Sequence, residues 1–159
     1  MNLKEELQSI LKGEVADDEA TLARYSRDAS LFEVKPRLVV FPQDVQDIKN
    51  LVSFVSQHPE ERLSLTCRGG GSDMTGGPLS ESIVLDMTRY FSHIKEIAAP
   101  SADGASLASG RVEPGVFYRD FEKETAKRNL LLPCFPASKD LCTLGGMVAN
   151  NAGGELTLR

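Results

Sequence analysis

The sequence has no tryptophan, two histidines, three cysteines and no apolar run long enough to span a membrane. His58 and His93 are too few for a multi-histidine metal site and give little material for a serine–histidine–aspartate triad. We predict that both histidines are structural and that the chain holds no metal. Cys67, Cys134 and Cys142 form no CxxC pair, so neither a disulfide framework nor a zinc site is indicated, and we expect reduced thiols.

Positive charge is also in short supply. Lysine and arginine total 18 against 23 aspartates and glutamates, which gives a formal net charge of −5 and an isoelectric point near 5.1. A surface that binds nucleic acid or an anionic membrane needs a basic field, so we expect neither partner. The first residues, MNLKEELQSILKGE, lack the cationic and continuous apolar regions of a secretory signal. We therefore expect a cytoplasmic protein with no membrane span, in which any anionic ligand is held by local donors.

The first part of the chain, residues 1–35, is predicted to be a helical lead-in. Apolar residues recur at helical spacing over residues 3–11, and Gly13 follows as a candidate C-terminal stop. Asp17 is a candidate N-cap for a second short helix.

From residue 36 onward the pattern changes to strands and helices in alternation. The runs RLVVF, RLSLTC and SIVLDM predict strands, and a helical stripe from Val45 to Val55 separates the first from the second. This order favours a parallel pair joined by a βαβ crossover. HIKEIAA and SLASGRVEPG then predict an antiparallel pair, and a helix follows near residues 117–125. The predicted fold class is α+β (mixed α/β), a small sheet with parallel strands flanked by helices and followed by an antiparallel lobe.

Nine of the thirteen glycines fall in two clusters. The first is CRGGGSDMTGG, and the second, CTLGGMVANNAGG, is predicted to open a helix with Thr143 as its N-cap. Glycine is needed where something approaches the backbone closely, and both glycine nests and helix N-termini present N–H groups that suit phosphate oxygens. We therefore expect unpaired N–H groups from Leu144 to Gly146. The alternative is that the clusters are bulges or hairpin loops with no ligand.

Neither common phosphate-loop motif accounts for the first cluster. It contains no lysine, whereas a P-loop ends in GK[ST]. Gly69 and Gly71 could begin the G-x-G-x-x-G of a Rossmann fingerprint, but Met74 occupies the position of its third glycine.

Four stretches, in their order along the chain, resemble one flavoprotein family. RGGGSDMTGG, SIVLDMTRY, RVEPG and LLLPCFPASKDLCTLGGMVANNAGG are similar to the FAD-binding (PCMH-type) half of the vanillyl-alcohol oxidase and p-cresol methylhydroxylase superfamily. Within it they resemble the branch of D-lactate dehydrogenases and glycolate oxidase flavoprotein subunits. The resemblance runs from about Pro36 to the C-terminus. It implies that residues 36–159 are the N-terminal part of an FAD-binding domain, with the later strands and the substrate cap absent and the antiparallel lobe incomplete.

The resemblance also implies which residues hold FAD. The first cluster would bind the pyrophosphate through backbone amides, with Ser72 and Thr75 adding hydroxyl donors. Asp73 would repel a pyrophosphate, so we expect its carboxylate to accept N–H groups of its own loop instead. The predicted cofactor-binding residues are Arg68, Gly69, Gly70, Gly71, Ser72, Asp73, Met74, Thr75, Gly76, Pro136, Ala137, Ser138, Cys142, Thr143, Gly145, Gly146, Asn150 and Gly153.

The mode of FAD attachment also follows from the resemblance. Some members link FAD covalently to a histidine in the first glycine loop, and here that loop contains none. The resemblance therefore implies non-covalent FAD. A link through Cys134 or Cys142 stays open as an alternative, although a buried apolar thiol is the simpler interpretation.

By the same resemblance, the full-length form oxidises a small 2-hydroxy acid such as D-lactate or glycolate by hydride transfer to flavin. The family's catalytic residues come mostly from portions beyond this chain, so we predict none here and expect the chain alone to be inactive. A sheet without its last strands would leave an open edge that favours self-association. The alternatives are a non-catalytic nucleotide-binding module, a split subunit that needs a partner chain, and a nucleotide-sugar reductase on the same fold.

Overall fold

The chain folds into two β-sheets with helices packed around them. The computed structural model describes residues 2–101, 103, 107–154 and 156. Within these residues the α-helices are α1 (Leu3–Ile10), α2 (Glu19–Tyr25), α3 (Val45–Gln57), α4 (Tyr118–Ala126) and α5 (Leu144–Ala149), and a short 3₁₀ helix spans Pro59–Glu61. The strands are β1 (Glu14–Ala16), β2 (Leu38–Phe41), β3 (Leu65–Arg68), β4 (Ile83–Asp86), β5 (Ile94–Ala98) and β6 (Ser109–Val112).

The larger sheet has the strand order β1-β2-β4-β3. Strand β4 pairs in parallel with both β2 and β3, with Ile83 in register with Leu38 on one side and Leu65 on the other. Both central strands, β2 and β4, are buried along their whole length, which agrees with their β-branched sequences. The predicted parallel strands and crossover helix are confirmed.

The side chains of the central strands alternate between the two faces of the sheet, and this produces an apolar layer on each face. Leu38 and Val40 face the core that contains Leu7 of α1 and Leu51 of α3. The intervening Val39 contributes to the opposite core, which contains residues of α2. Because successive side chains of a strand point to opposite faces, one short run of apolar residues holds helices on both sides of the sheet.

The N-terminal stretch differs in three details from the sequence prediction. It contains the strand β1, which pairs antiparallel with β2 across the predicted boundary at residue 36. The N-cap of α2 is Asp18, which accepts the Thr21 N–H at 2.9 Å, whereas Asp17 pairs with Lys4. Helix α1 is capped by Leu11, and Gly13 lies where a Cβ would overlap the carbonyl oxygen of Phe41. The Gly13 stop and the Asp17 cap were therefore wrong: close packing on the sheet accounts for Gly13, and the Asp17 carboxylate pairs with Lys4 while that of Asp18 reaches the Thr21 N–H.

The smaller sheet is the antiparallel pair β5–β6, as predicted. Helix α4 packs behind it, and the Phe121 ring lies 3.0 Å from where a Cβ of Gly110 would be. The core of this half also contains Tyr118, Cys142 and Met147, so the start of α5 is packed against α4. In the described ranges, β5 and β6 pair only with each other, which leaves an open edge on each.

No helix in the described part of the chain is both long and apolar enough to cross a bilayer. The predicted self-association and cytoplasmic location stay predictions.

A buried aspartate connects the N-terminal stretch to α3. Asp47 is 1% exposed, and its carboxylate accepts the backbone N–H groups of Lys12, Gly13 and Gln43 at 2.8–2.9 Å. Three backbone donors that could otherwise be left without water or a partner are thereby paired.

We predict that Asp47→Ala lowers the free energy of unfolding by about 2–4 kcal/mol, because it leaves several buried donors unpaired. Urea denaturation measures this loss. Asp17→Ala is the matched control, since it removes an exposed carboxylate whose ion pair contributes at most about 1 kcal/mol. Equal losses for the two variants would contradict the role assigned to Asp47.

Candidate functional site

The two glycine clusters meet in space. The glycine loop, residues 69–77, leaves the C-terminal end of β3 and lies against the start of α5. A Cβ on Gly69 would overlap the hydroxyl oxygen of Thr143, and one on Gly70 would overlap the carbonyl oxygen of Leu141. The first two loop glycines are therefore required by the other cluster, and their bare backbones need no ligand to account for them.

Other glycines are also required because another part of the chain lies close to them or because of their backbone conformation. A Cβ on Gly145 would lie 2.6 Å from the Cβ of Pro114, and one on Gly154 would overlap the carbonyl oxygen of Phe135. Gly71 has a φ of +68°, a conformation that residues with a Cβ rarely adopt. Gly146 is the exception: its Cβ would meet only the Thr143 hydroxyl oxygen, at 3.3 Å. Gly146 therefore has more open surroundings than Gly69, Gly70, Gly145 and Gly154.

A cleft of about 320 Å³ lies between the glycine loop and α5. It brings together residues of both clusters and of the segment around Pro136. Twelve of the predicted cofactor-binding residues line it: Gly69, Gly70, Gly71, Ser72, Asp73, Met74, Pro136, Ser138, Cys142, Thr143, Gly146 and Asn150. Six others do not: Arg68, Thr75, Gly76, Ala137, Gly145 and Gly153.

The cleft also contains Gly77, the last residue of the predicted pyrophosphate loop, and residues that the sequence prediction missed, namely Cys67, Pro78, Met147, Ala149 and Ala152. Helical spacing could have found Met147. Thr143, Gly146, Met147 and Asn150 are separated by three, four and seven positions, so they share one face of α5.

The start of α5 has fewer free donors than predicted. Thr143 is its N-cap, as predicted, and accepts the Gly146 N–H at 3.2 Å. The Leu144 N–H donates to the Val116 carbonyl at 2.8 Å, and the Gly145 N–H donates to the Pro114 carbonyl at 2.9 Å. The expectation that these three N–H groups are unpaired was therefore wrong, because the turn before α4 supplies acceptors for Leu144 and Gly145 and the Thr143 cap supplies one for Gly146. This six-residue helix offers no free N-terminus to an anion.

The glycine loop does have free donors. Within the described part of the chain, the backbone N–H groups from Gly70 to Met74 donate to no protein acceptor. Gly71 reverses the sign of φ in the middle of this run. A run of backbone donors around such a residue is the arrangement that forms an anion-binding nest.

Asp73 accepts hydrogen bonds on both carboxylate oxygens. Its Oδ2 accepts the Thr75 hydroxyl at 2.7 Å and the N–H groups of Thr75 and Gly77 at 3.1 and 2.7 Å. Its Oδ1 accepts the side-chain amide of Asn150 at 2.7 Å. The Thr75 hydroxyl, together with these other donors, lowers the pKa of Asp73. The structure thus has Asp73 in the loop-acceptor role expected from the sequence.

The side chain of Arg68 is directed away from the cleft. Its guanidinium donates to the Arg27 carbonyl at 2.7 Å and lies 5.2 Å from the centre of the Tyr25 ring. Burial lowers the pKa of Arg68. Tyr25 in turn donates its hydroxyl to the buried Asp86 at 2.7 Å. Arg68 therefore joins the glycine loop to the N-terminal stretch.

Of the two thiols that line the cleft, those of Cys67 and Cys142, the buried one is poorly suited to attack. Cys142 is 6% exposed, and burial raises its thiol pKa, which favours the protonated form. Among the described residues, no group of three or more His, Cys, Asp or Glu side chains could hold a metal ion.

A family model described as FAD binding domain matches residues 36–159. D-2-hydroxyglutarate dehydrogenase of Escherichia coli is 29% identical over 99% of this chain, and glycolate oxidase subunit GlcD of the same organism is 31% identical over 82%. D-lactate dehydrogenase of Archaeoglobus fulgidus is 26% identical over 77% of the chain. The chain covers only 15%, 24% and 25% of the lengths of these relatives, respectively.

Solved structures agree on the fold. An alkyldihydroxyacetonephosphate synthase superimposes on 94% of this chain with a TM-score of 0.76 and 21% identity, and the match covers 29% of that protein. The 4-ethylphenol oxidase from Gulosibacter chungangensis superimposes on 91% of the chain with a TM-score of 0.71 and 21% identity, covering 27% of that protein. The predicted mixed α/β fold is confirmed by these matches.

We predict that one glycine of the cleft tolerates substitution by alanine and that another does not. Gly70→Ala should lower the free energy of unfolding by about 1–3 kcal/mol, because its Cβ would overlap the Leu141 carbonyl. Gly146→Ala should change that free energy by less than about 1 kcal/mol, since open space and the higher helix propensity of alanine offset the close hydroxyl. Urea denaturation of both variants checks the pair, and equal effects would show that the two clusters are not packed as described.

Proposed function

The chain belongs to the FAD binding domain family, and we propose that it holds FAD non-covalently with the pyrophosphate in the cleft between the glycine loop and α5. The observation that carries this proposal is the run of unpaired N–H groups from Gly70 to Met74 in the loop that lines the cleft. Backbone donors of this kind can hold phosphate oxygens in a chain with a net negative charge.

The residues of the cleft fit a pyrophosphate. No lysine or arginine is among its lining residues within the described ranges, so backbone groups must supply the attraction for an anion. The one lining carboxylate, Asp73, already accepts four hydrogen bonds from the protein. The hydroxyl groups of Ser72 and Ser138 line the same cleft and can add donors.

The size of the cleft indicates which part of the cofactor it takes. Its volume of about 320 Å³ lies at the lower end of the range for ligand sites, which is roughly 300–1,000 Å³. We propose that it receives the pyrophosphate and its flanking sugar portions, while the flavin ring extends towards parts of a longer protein. FAD supplies the redox chemistry when bound, and this chain supplies binding and orientation.

Non-covalent attachment is supported by the chemistry of the cleft. The glycine loop contains no histidine, and the Cys142 thiol is buried with a raised pKa. Covalent attachment through sulfur requires a reactive thiolate, which this environment disfavours.

We further propose that the whole protein oxidises a 2-hydroxy acid. The names of three relatives support this proposal: they are a D-2-hydroxyglutarate dehydrogenase, a glycolate oxidase subunit and a D-lactate dehydrogenase. The chain spans a quarter or less of each, so the groups that bind the substrate and take its proton are assigned to the remainder of such a protein. No catalytic residue is assigned within this chain.

We predict that the purified chain retains FAD on a desalting column and releases all of it on acid denaturation. A visible absorption spectrum before and after each step measures both. Flavin that stays with the precipitated protein would contradict non-covalent attachment. Wild-type protein that retains no flavin would contradict the proposed cleft function for this chain.

We also predict that Gly146→Phe weakens FAD binding at least about tenfold, because the ring would project from an open position into the cleft. Gly146→Ala is the matched control and should bind FAD within about twofold of the wild type. Quenching of flavin fluorescence during titration gives both dissociation constants. Unchanged affinity in the phenylalanine variant would exclude this cleft as the cofactor site.

A further inference from the structure

The two walls of the cleft are joined at both ends. At one end Gly69 lies against the Thr143 side chain at the start of α5, and at the other Asp73 is hydrogen-bonded to Asn150 at the helix end. Asn150 is the C-cap of α5, so the whole helix spans the distance between the two contacts. The free N–H groups from Gly70 to Asp73 belong to the loop segment between these two contacts, and that of Met74 follows directly after it.

The contact between Asp73 and Asn150 depends on the Asp73 carboxylate. A carboxylate only accepts hydrogen bonds, so the nitrogen of the Asn150 amide must face it. The other oxygen gathers the Thr75 and Gly77 donors, which draws the second half of the loop around the same side chain. The Asp73 carbonyl also accepts the Ala29 N–H at 3.1 Å, so its backbone is fixed from the N-terminal stretch as well.

These contacts leave the neighbouring donors unused. Asp73 accepts from Thr75, Gly77 and the amide of Asn150, whereas the N–H groups from Gly70 to Met74 remain without acceptors in the described residues. A donor set that is fixed before the ligand arrives loses less conformational entropy on binding.

We propose that Asp73 is a positioning residue for the cofactor, which acts by joining the glycine loop to Asn150 and so holds both walls of the cleft at the spacing that the pyrophosphate needs. This inference rests on the proposed function. In this role Asp73 itself makes no bond to the cofactor.

Simple electrostatics predicts the opposite behaviour, which makes the proposal testable. A carboxylate beside a pyrophosphate repels it, so removal of the Asp73 charge should tighten FAD binding if charge alone matters. If positioning matters, the same removal should weaken binding. Asn150→Ala separates the two effects further, because it breaks the joint without changing any charge.

The experiment compares FAD affinity in Asp73→Ala, Asn150→Ala and the double variant by fluorescence quenching. We expect Asp73→Ala to weaken FAD binding at least about fivefold and Asn150→Ala to weaken it about threefold to tenfold, which corresponds to the net contribution of a typical hydrogen bond. The double variant should bind no more weakly than Asp73→Ala, because the two residues act through one contact. Asp73→Asn should recover most of the affinity, since its amide oxygen can accept the loop donors and its amide nitrogen can pair with a rotated Asn150 amide.

Two further measurements distinguish positioning from a general loss of stability. Asp18→Ala removes an N-cap acceptor outside the cleft, so it should lower stability while leaving FAD affinity unchanged. ADP contains a pyrophosphate but no flavin. Its affinity, measured by competition with FAD, should fall by the same factor in each variant as the affinity for FAD does. Circular dichroism confirms that each variant is folded at the temperature of the titration.

The outcomes separate this proposal from the proposed function. Failure of the wild-type chain to bind FAD would overturn the proposed function and the positioning role with it. Wild-type binding combined with unchanged or tighter binding in Asp73→Ala would overturn the positioning role alone. Additive losses in the double variant would show that Asp73 and Asn150 do not act through their mutual hydrogen bond.

Discussion

The cleft depends on the close approach of the Gly69 and Gly70 backbone to the Thr143 side chain and the Leu141 carbonyl group. A Cβ at either glycine would separate the two walls. The parallel sheet delivers the first wall at the C-terminal end of β3, the edge where ligands bind in many open α/β sheets. The carbonyl groups of Pro114 and Val116 fix the second wall by accepting the first N–H groups of α5.

Support for the glycine loop comes from outside the segment that matches the family. The match begins at residue 36, but Arg68 donates to the Arg27 carbonyl and Ala29 donates to the Asp73 carbonyl. The Phe32 ring also packs on Gly76, 2.9 Å from where a Cβ would be. The N-terminal stretch is therefore part of the structure that shapes the cleft, as well as a cover for one face of the sheet.

Acidic side chains in this protein are used repeatedly to collect backbone donors. Asp47, in the first turn of α3, pairs the N–H groups of Lys12, Gly13 and Gln43, and Asp73 pairs two more in the glycine loop. Where such an acceptor is lacking, from Gly70 to Met74, the donors are left for a ligand. An acidic chain can thus present a local site for an anion without lysine or arginine, because backbone dipoles supply the attraction.

The sequence by itself determined the central strands, the crossover helix and the Thr143 cap, because β-branched runs, helical spacing and cap chemistry act over a few neighbouring residues. It also indicated most of the residues that line the cleft, since glycine clusters are visible without coordinates. Only the tertiary structure decided that Arg68 turns towards Arg27, that three residues at Glu14–Ala16 form a strand, and that the Leu144 and Gly145 N–H groups are already paired. Each of these depends on a partner far along the chain, whose distance no local pattern specifies.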